Sequence, residues 1–384
     1  MEYFLLAVSA IASRLVNWSG AFRAPRPHKI LVIKLDHLGD VVTATPVFRV
    51  LCDGYPGAPV HALIGPWARD ILEANPFIDR ILEYDSAAFR RAPGRVTHGG
   101  SRLRRMREIA AERYTVIVDL RGDAWTLALP FLCGARTRVD RGTVRIRERL
   151  RRLRLGHRRS GEPLHEVETN LAIVRPLLAR APGPVKSLRV EMFLTDEDRR
   201  TLAATLDDLE IQGRRALITI HPSASWRPRA WRPEQFAALA ARILERYPVD
   251  VVFVGTAEDR DIQERLRRLI VSDHAHYLFT AQSIRTVSAL IERSVLMIGS
   301  DSGLTHIAAA CGTPVIALFG PQDPRRFGPW SRTTVALHKP VPCFPCRQTV
   351  CVRPEIPCVN LIEVEEVLAA ARPILERAAE TARA

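Results

Sequence analysis

The sequence lacks several features that would assign it to a common protein class. Its 384 residues contain no apolar run long enough to cross a bilayer, and no segment repeats with a period of about 20 to 50 residues. Neither a G-x-G-x-x-G sequence nor a P-loop is present. Those two absences argue against a standard dinucleotide-binding enzyme and against a Walker-type NTPase.

The cysteines are few and unevenly placed. Three of the seven stand alone among apolar residues, and four crowd into "CFPCRQTVCVRPEIPC" as Cys343, Cys346, Cys351 and Cys358. The odd total, without a secretory signal, predicts a reducing compartment. Four thiolates at such short spacing are an alternative zinc or iron–sulfur site. Packing thiols or adventitious disulfides are the competing interpretation, and our prediction is that no metal is required.

The N-terminal segment, residues 1–27, is apolar up to Arg14 and has no basic n-region or convincing cleavage site. Its apolar residues follow a helical period. The pattern predicts a helix that lies at a membrane interface, or equally one that packs on the domain or frays.

The net charge is +14, carried mostly by arginine, and it favours an anionic partner. Many of the arginines crowd into one segment, where they form a candidate basic face for an anionic membrane: Arg136, Arg138, Arg141, Arg145, Arg147, Arg149, Arg151, Arg152, Arg154, Arg158 and Arg159. A solvated helix or loop is the alternative. No aromatic-interleaved pattern accompanies the charge, so nucleic acid is not the expected partner.

Seven short β-branched runs, each followed by a helical pattern, predict βαβ units with buried parallel sheets. "ILVIKL", "VHALIG" and "YTVIVDL" belong to one sheet, and "ALITIHP", "VDVVFVG", "SVLMIGS" and "TPVIALFG" to another. We therefore expect an α/β protein with two doubly wound domains and a ligand cleft between them. The expected domains are 28–205 and 206–365, with a C-terminal helix or tail over 366–384.

In the second half, the stretch "GSDSGLTHIAAACGTP" follows a predicted strand and opens a helix. Backbone N–H groups at such a helix start form a phosphate site, to which Ser302 and His306 can add donors. The alternative is that Asp301 or Ser302 only caps the helix and that His306 packs.

Two further loops leave predicted strands on the same side. Ser223 and Arg229 follow "ALITIHP", where a cation can neutralise a diphosphate. Glu258 follows "VDVVFVG", where a carboxylate can accept hydrogen bonds from ribose hydroxyls. For Glu258 the alternative is a first-turn acid that complements the helix dipole.

In the first half, "ILVIKLDHLGD" ends in Asp40, directly before a helical pattern. The residues alone leave two interpretations of this carboxylate: a helix cap, or a catalytic base at the end of the first strand.

Three stretches resemble landmarks of the lipopolysaccharide heptosyltransferase family, glycosyltransferase family 9: "LDHLGDVVTATPVFRVL", "HPSASWRPRAWRPEQFAAL" and "SDSGLTHIAAACGTPVIALFGPQDPRRFGPW". The likeness runs from about residue 29 to residue 365. It implies a GT-B fold of two facing Rossmann-like domains, with donor bound by the C-terminal domain and acceptor by the N-terminal one. It also implies that Asp40 is the general base, with His37, Gly39 and Arg121 on the acceptor side.

Carried over by position, the resemblance assigns eight residues to the donor site. Arg229 stands where the family more often has lysine, and Thr280, Ala281 and Gln282 stand where it often has Gly-Lys-Thr near the base. The donor-binding residues are then Ser223, Arg229, Glu258, Ala281, Asp301, Ser302, Gly303 and His306.

The expected activity is an inverting, metal-independent transfer of heptose from ADP-heptose to a lipopolysaccharide core or related glycolipid. The expected location is cytoplasmic, peripheral at the anionic face of the inner membrane. Alternatives are a UDP- or GDP-sugar donor, a GT-B epimerase, or a non-catalytic nucleotide-binding scaffold.

Overall fold

The computed structural model divides the chain into two compact units, Met1–Arg189 and Val190–Ala384. The predicted N-terminal helix and most of the arginine-dense segment lie outside the residues that the structure describes. Those residues are 27–85, 99–121, 126, 129–141, 164–179, 181, 183, 188–279, 282–344, 346 and 350–381.

The first unit contains a five-stranded parallel sheet in the order β3-β2-β1-β4-β5. Its strands are β1 Ile30–Lys34, β2 Val60–Ile64, β3 Arg80–Glu83, β4 Val116–Asp119 and β5 Thr137–Asp140. Its helices are α1 Leu38–Gly54, α2 Arg69–Leu72, α3 Gly99–Ala111, α4 Leu129–Leu132 and α5 Glu166–Leu178, with a 3₁₀ turn at Pro66–Ala68.

The second unit contains a six-stranded parallel sheet in the order β11-β10-β9-β6-β7-β8. Its strands are β6 Ala216–His221, β7 Val249–Val254, β8 Ala275–Leu278, β9 Leu296–Ser300, β10 Val315–Phe319 and β11 Thr334–His338. Its helices are α6 Asp196–Asp208, α7 Pro233–Arg246, α8 Arg260–Leu269, α9 Ile284–Arg293, α10 Gly303–Cys311, α11 Pro324–Phe327 and α12 Val364–Thr381. Short 3₁₀ turns are Arg227–Arg229, Ala257–Asp259 and Cys358–Leu361.

Both sheets have the strand order of a doubly wound Rossmann-like fold, so the α/β prediction is confirmed. In the first sheet, β2 and β3 lie on one side of β1, and β4 and β5 lie on its other side. In the second sheet, β7 and β8 lie on one side of β6, and β9, β10 and β11 lie on its other side. The strand order therefore changes direction between β1 and β4, and between β6 and β9. Ligands of such sheets bind outside the carboxyl ends of the strands at that switch point. The loops after β1 and β4, and those after β6 and β9, are therefore the expected ligand-binding loops.

Helix α1 reaches the first switch point and contains Pro46, whose missing N–H leaves the Val42 carbonyl without its usual helical partner. The Thr45 hydroxyl donates to that carbonyl at 2.8 Å. The Thr43 hydroxyl likewise donates to the Asp40 carbonyl at 2.8 Å. The first turns of α1 thus stay helical up to the proline.

In the second unit, Trp231 anchors the loop after β6. Its ring is fully buried against Phe236, with centroids 4.9 Å apart. The indole N–H donates to the Ile362 carbonyl at 2.9 Å, and the Trp231 backbone N–H donates to the Ser300 hydroxyl at 3.2 Å. These bonds fix the loop that carries Ser223 and Arg229 to the end of β9.

None of the described helices is long and apolar enough to cross a membrane.

Candidate functional site

The carboxyl end of β1 carries a buried group of paired charges. Lys34 is fully buried, and its ammonium nitrogen lies 3.3 Å from Asp36 Oδ2 and 3.6 Å from Glu166 Oε1. Arg121, which follows β4, donates to Asp36 Oδ1 at 2.7 Å. Arg141 pairs with Glu166 from the end of β5. The switch point of the first sheet therefore holds two carboxylates among three cations.

Asp40 stands in the first turn of α1, beside this group. The helix begins at Leu38 with His37 as its N-cap residue, so the interpretation of Asp40 as the helix cap is wrong. The side chain of His37 makes no capping hydrogen bond either. The Asp40 carboxylate is half-buried, and none of the described residues donates a hydrogen bond to it.

The surroundings of Asp40 suit a proton acceptor. Burial raises the pKa of Asp40 to about 6, and the neighbouring carboxylates of Asp36 and Glu166 add to this rise. The charges of Lys34 and Arg141 act in the opposite direction and limit it. A carboxyl group with a pKa near the working pH is ionised at neutrality yet still takes a proton effectively.

Asp36 has the opposite balance. Burial favours its neutral form, but Lys34 and Arg121 outweigh burial and hold the pKa of Asp36 below its ordinary value. Two carboxyl groups a few residues apart are thus held in different states, a charged ion-pair partner and a titratable acid.

The predicted acceptor-side residues are adjacent in sequence or in space to this group. Gly39 is half-buried in the first turn of α1, and His37 is exposed. Arg121 is bound to Asp36, with 30% of its side chain exposed. Lys34, Asp36 and Glu166 were not identified from the sequence, although Lys34 and Asp36 lie within the stretch that pointed to Asp40.

The carboxyl ends of β6 and β9 carry a chain of hydrogen bonds. The Ser223 hydroxyl lies 3.0 Å from His221 Nε2, and the Ser302 hydroxyl lies 3.1 Å from His221 Nδ1. Ser302 is the N-cap residue of α10, but its side chain does not cap that helix. The structure therefore brings together two predicted donor-binding serines through a histidine that the sequence analysis did not select.

Arg229 and Asp301 form a second contact at this edge of the sheet. Arg229 Nη1 lies 3.5 Å from Asp301 Oδ2, so the 3₁₀ turn after β6 is tied to the loop after β9. Asp301 is buried, and its desolvation raises its pKa, while Arg229 acts to lower it. The Arg229 side chain is 29% exposed, which leaves it accessible to a soluble anion.

The remaining predicted donor residues follow the same edge. Gly303 is the first residue of α10, and His306 is buried one turn into that helix. Glu258 is exposed in the 3₁₀ turn after β7, where its Oε2 accepts from the Thr256 hydroxyl at 2.9 Å. Ala281, with Thr280 before it, lies outside the described residues. Strands β9, β6 and β7 are neighbours, so the described candidates share one edge of the second sheet.

The four clustered cysteines are free thiols that line one apolar pocket. Trp226, Pro228 and Gly320 also line it, so the cysteine segment packs against the loop that carries Arg229. Burial raises the pKa of Cys358, and nearby Cys343 and Cys351 add to the effect. Within the described part of the chain, no group of three or more histidine, cysteine, aspartate or glutamate side chains is arranged to hold a metal ion.

One arginine of the proposed basic face is part of the core instead. Arg138 is fully buried in β5, where its guanidinium lies 3.1 Å from Asp119 Oδ2 and 3.1 Å from Asp140 Oδ2. Arg141 is likewise engaged by Glu166. Arg136 is exposed, and the arginines from 145 to 159 lie outside the described residues.

The model of glycosyltransferase family 9 (heptosyltransferase) matches residues 102–356, more than half of the chain. The chain belongs to this family. Lipopolysaccharide heptosyltransferase 3 of Escherichia coli K12 is 26% identical over 306 residues, which cover 77% of this chain and 84% of that protein.

Two solved structures resemble this family 9 protein in fold. The family 9 glycosyltransferase of Veillonella parvula is 20% identical with a TM-score of 0.72, covering 93% of this chain and 99% of the other. E. coli ADP-heptose lps heptosyltransferase II is 21% identical with a TM-score of 0.67, covering 91% and 99%. The protein is thus a glycosyltransferase with the GT-B type of fold, built from two Rossmann-like units, rather than a non-catalytic scaffold.

Proposed function

We propose that this family 9 glycosyltransferase transfers heptose from ADP-heptose to a lipopolysaccharide core or a related glycolipid. The named relatives support this choice, since one is a lipopolysaccharide heptosyltransferase and another is described as an ADP-heptose enzyme. The observation that carries the mechanism is the state of Asp40, a half-buried carboxyl group with a pKa of about 6 at the switch point of the first sheet.

In the proposed reaction the first unit binds the acceptor and Asp40 is the general base. The acceptor hydroxyl attacks the anomeric carbon from the face opposite the diphosphate, so the configuration inverts. As the new C–O bond forms and the bond to the diphosphate breaks, the hydroxyl proton passes to Asp40. Because the transition state resembles an oxocarbenium ion, proton transfer can follow bond cleavage, and a moderately basic carboxylate suffices.

In the same proposal the second unit binds the donor. Arg229, the Ser223 and Ser302 hydroxyls and the N–H groups at the start of α10 neutralise the departing diphosphate. Gly303 allows a close approach of the backbone at that helix start. His306, one turn into α10, adds a further contact, and Glu258 accepts hydrogen bonds from the ribose hydroxyls. The guanidinium and the helix N-terminus replace a metal ion in this scheme.

The acceptor and the location follow from chemistry and charge. A glycolipid acceptor carries phosphate groups and lies in an anionic membrane, which a chain of net charge +14 attracts. We therefore propose that the protein acts at the cytoplasmic face of the inner membrane, with Arg121, His37 and Gly39 near the acceptor.

The test combines purified protein, core glycolipid from cells that lack the protein, and a panel of ADP-, UDP- and GDP-sugars with EDTA present. Mass spectrometry should show a heptose increment with ADP-heptose alone, and NMR should show the inverted anomer. Transfer from only a UDP- or GDP-sugar would overturn the donor assignment. Loss of transfer on chelation that a divalent cation restores would overturn metal independence.

A further inference from the structure

The end of β6 holds a histidine between two hydroxyl groups. His221 Nε2 lies 3.0 Å from the Ser223 hydroxyl, and His221 Nδ1 lies 3.1 Å from the Ser302 hydroxyl. His221 is 9% exposed and Ser223 is 7% exposed, while Ser302 is half-buried at the N-terminus of α10. Both ring nitrogens are therefore engaged by residues that belong to the proposed diphosphate site.

The Ser302 hydroxyl contacts His221 instead of capping helix α10. In the same unit, Thr195 and Ser283 are N-cap residues whose hydroxyls accept a backbone N–H of their helices. Ser302 is in the same position on α10, yet it makes no such bond. A missing N-cap bond lowers the stability of a helix. The arrangement leaves the first N–H groups of α10 available and turns the hydroxyl toward the histidine.

The protonation state of His221 decides how many hydroxyl hydrogens the two serines can offer to an anion. A neutral imidazole has one N–H and one lone pair. The serine that bonds to the lone pair spends its hydrogen on the ring, so only the other serine can donate to a ligand. A protonated ring donates from both nitrogens, and both serines then keep their hydrogens for the ligand.

We propose that His221 is a positioning residue that takes up a proton when a nucleoside diphosphate binds, so that Ser223 and Ser302 both donate to the anion. The inference rests on the proposed donor site. The proton comes from solvent and returns there when the nucleotide leaves. The other charged and titratable groups at this edge are Asp301 after β9, Arg229 in the 3₁₀ turn, His306 in α10 and Glu258 after β7.

The test measures ADP binding by isothermal titration calorimetry from pH 6 to pH 8.5, in buffers of different ionisation enthalpy. The comparison is between the wild type and His221→Gln, whose amide offers one donor and one acceptor but does not titrate. At pH 6 the variant should bind ADP about tenfold more weakly, the effect of one hydrogen bond to a charged group. The difference in ADP affinity between the two proteins should narrow as the pH rises. The wild type should take up more protons on binding ADP than His221→Gln does.

His274→Gln is the matched control. His274 lies 2.9 Å from Asp250 at the amino end of the same sheet, away from the donor-site edge. Its ADP affinity and proton uptake should match those of the wild type at every pH. The phosphate groups of ADP and the other residues of the donor site are the same in all three proteins, so the comparison isolates His221.

Equal pH dependence and equal proton uptake in wild type and His221→Gln would overturn this inference while leaving the donor site intact. Absence of binding by ADP, UDP and GDP to the wild type would overturn the donor site itself. If His221→Gln does not fold, ¹⁵N-histidine NMR of the wild type decides. Two protonated His221 ring nitrogens in the ADP complex at pH 7 support the proposal, and one unprotonated nitrogen contradicts it.

Discussion

The ammonium nitrogen of Lys34 lies 3.3 Å from Asp36 Oδ2, with both side chains buried at the carboxyl end of the central strand of the first sheet. Glu166 approaches the same nitrogen at 3.6 Å. One buried cation therefore stabilises two carboxylates. Of the charges that lower the pKa of Asp40, that of Lys34 has the largest effect.

Replacing Lys34 should change the pH dependence of transfer. In Lys34→Met the pKa of Asp40 should rise above its value of about 6, because the positive charge that opposes its protonation is gone. The acidic limb of kcat against pH should then move to higher pH, with activity recovered under alkaline conditions. Lys29→Met is the control, since Lys29 pairs with Glu112 at the other end of β1. An acidic limb that stays in place in folded Lys34→Met would contradict this electrostatic role.

Asp40→Asn should make the protein more stable at neutral pH. The pKa of Asp40 is raised in the folded state, to about 6 against about 3.9 when unfolded. The folded state therefore binds the extra proton, and this carboxyl group costs stability increasingly as the pH rises from about 4 through 6. Allowing for its partial exposure, the gain on substitution at pH 7.5 should be about 1 to 2 kcal/mol.

Urea denaturation of wild type and Asp40→Asn at pH 4 and pH 7.5 measures this effect. The two proteins should unfold at similar urea concentrations at pH 4, where Asp40 is protonated in the folded state. A variant that is no more stable than the wild type at pH 7.5 would show that burial of the Asp40 carboxylate does not destabilise the folded protein.

Arg229 should be required for nucleotide binding through its charge. Arg229→Met should weaken ADP binding by about ten- to a hundredfold, because the diphosphate loses a charged donor and Asp301 loses its partner at 3.5 Å. Arg229→Lys should lose less, since it keeps the charge but not the planar geometry. Calorimetry measures both, and exposed Arg227 in the same turn supplies the control variant Arg227→Met. Equal losses in Arg227→Met and Arg229→Met would point to a nonspecific charge effect.

Arg138→Met should destabilise the first unit rather than alter membrane binding. The substitution leaves Asp119 and Asp140 buried without the guanidinium that lies 3.1 Å from each. Breaking a buried ion pair in this way costs about 3 to 5 kcal/mol. Arg136→Met, at an exposed position two residues earlier, should change stability by less than about 0.5 kcal/mol. Urea denaturation checks both, and equal stabilities would mean that Arg138 is not a core residue.

The sequence predicted the central strands but missed the edge strands. All seven β-branched apolar runs are strands, because strands that are covered on both faces need continuous apolar residues. The four strands that were missed, β3, β5, β8 and β11, are the edges of the two sheets. Edge strands have fewer buried residues, and β5 also contains Arg138 and Asp140, whose burial depends on partners elsewhere in the chain.

The candidate site was predicted only in part, for a related reason. Residues in the loops after strands, such as Asp40, Arg229 and Ser302, can be selected from the local sequence. A β-branched apolar run followed by a helical pattern marks where each such loop lies. Glu166 and His221 cannot be selected in this way. Glu166 reaches Lys34 from a helix far along the chain, and His221 acquires its importance only when β9 brings Ser302 beside it.

The most direct test of Asp40 as the general base is the rate of sugar transfer by Asp40→Asn, measured in a single turnover with donor and acceptor saturating. ADP affinity is measured alongside, and Asp70→Asn in the first turn of α2 is the matched control. If Asp40 is the general base, Asp40→Asn should lose about 10² to 10⁴ in rate, with ADP binding unchanged and Asp70→Asn fully active. Transfer by folded Asp40→Asn at the wild-type rate would contradict that role.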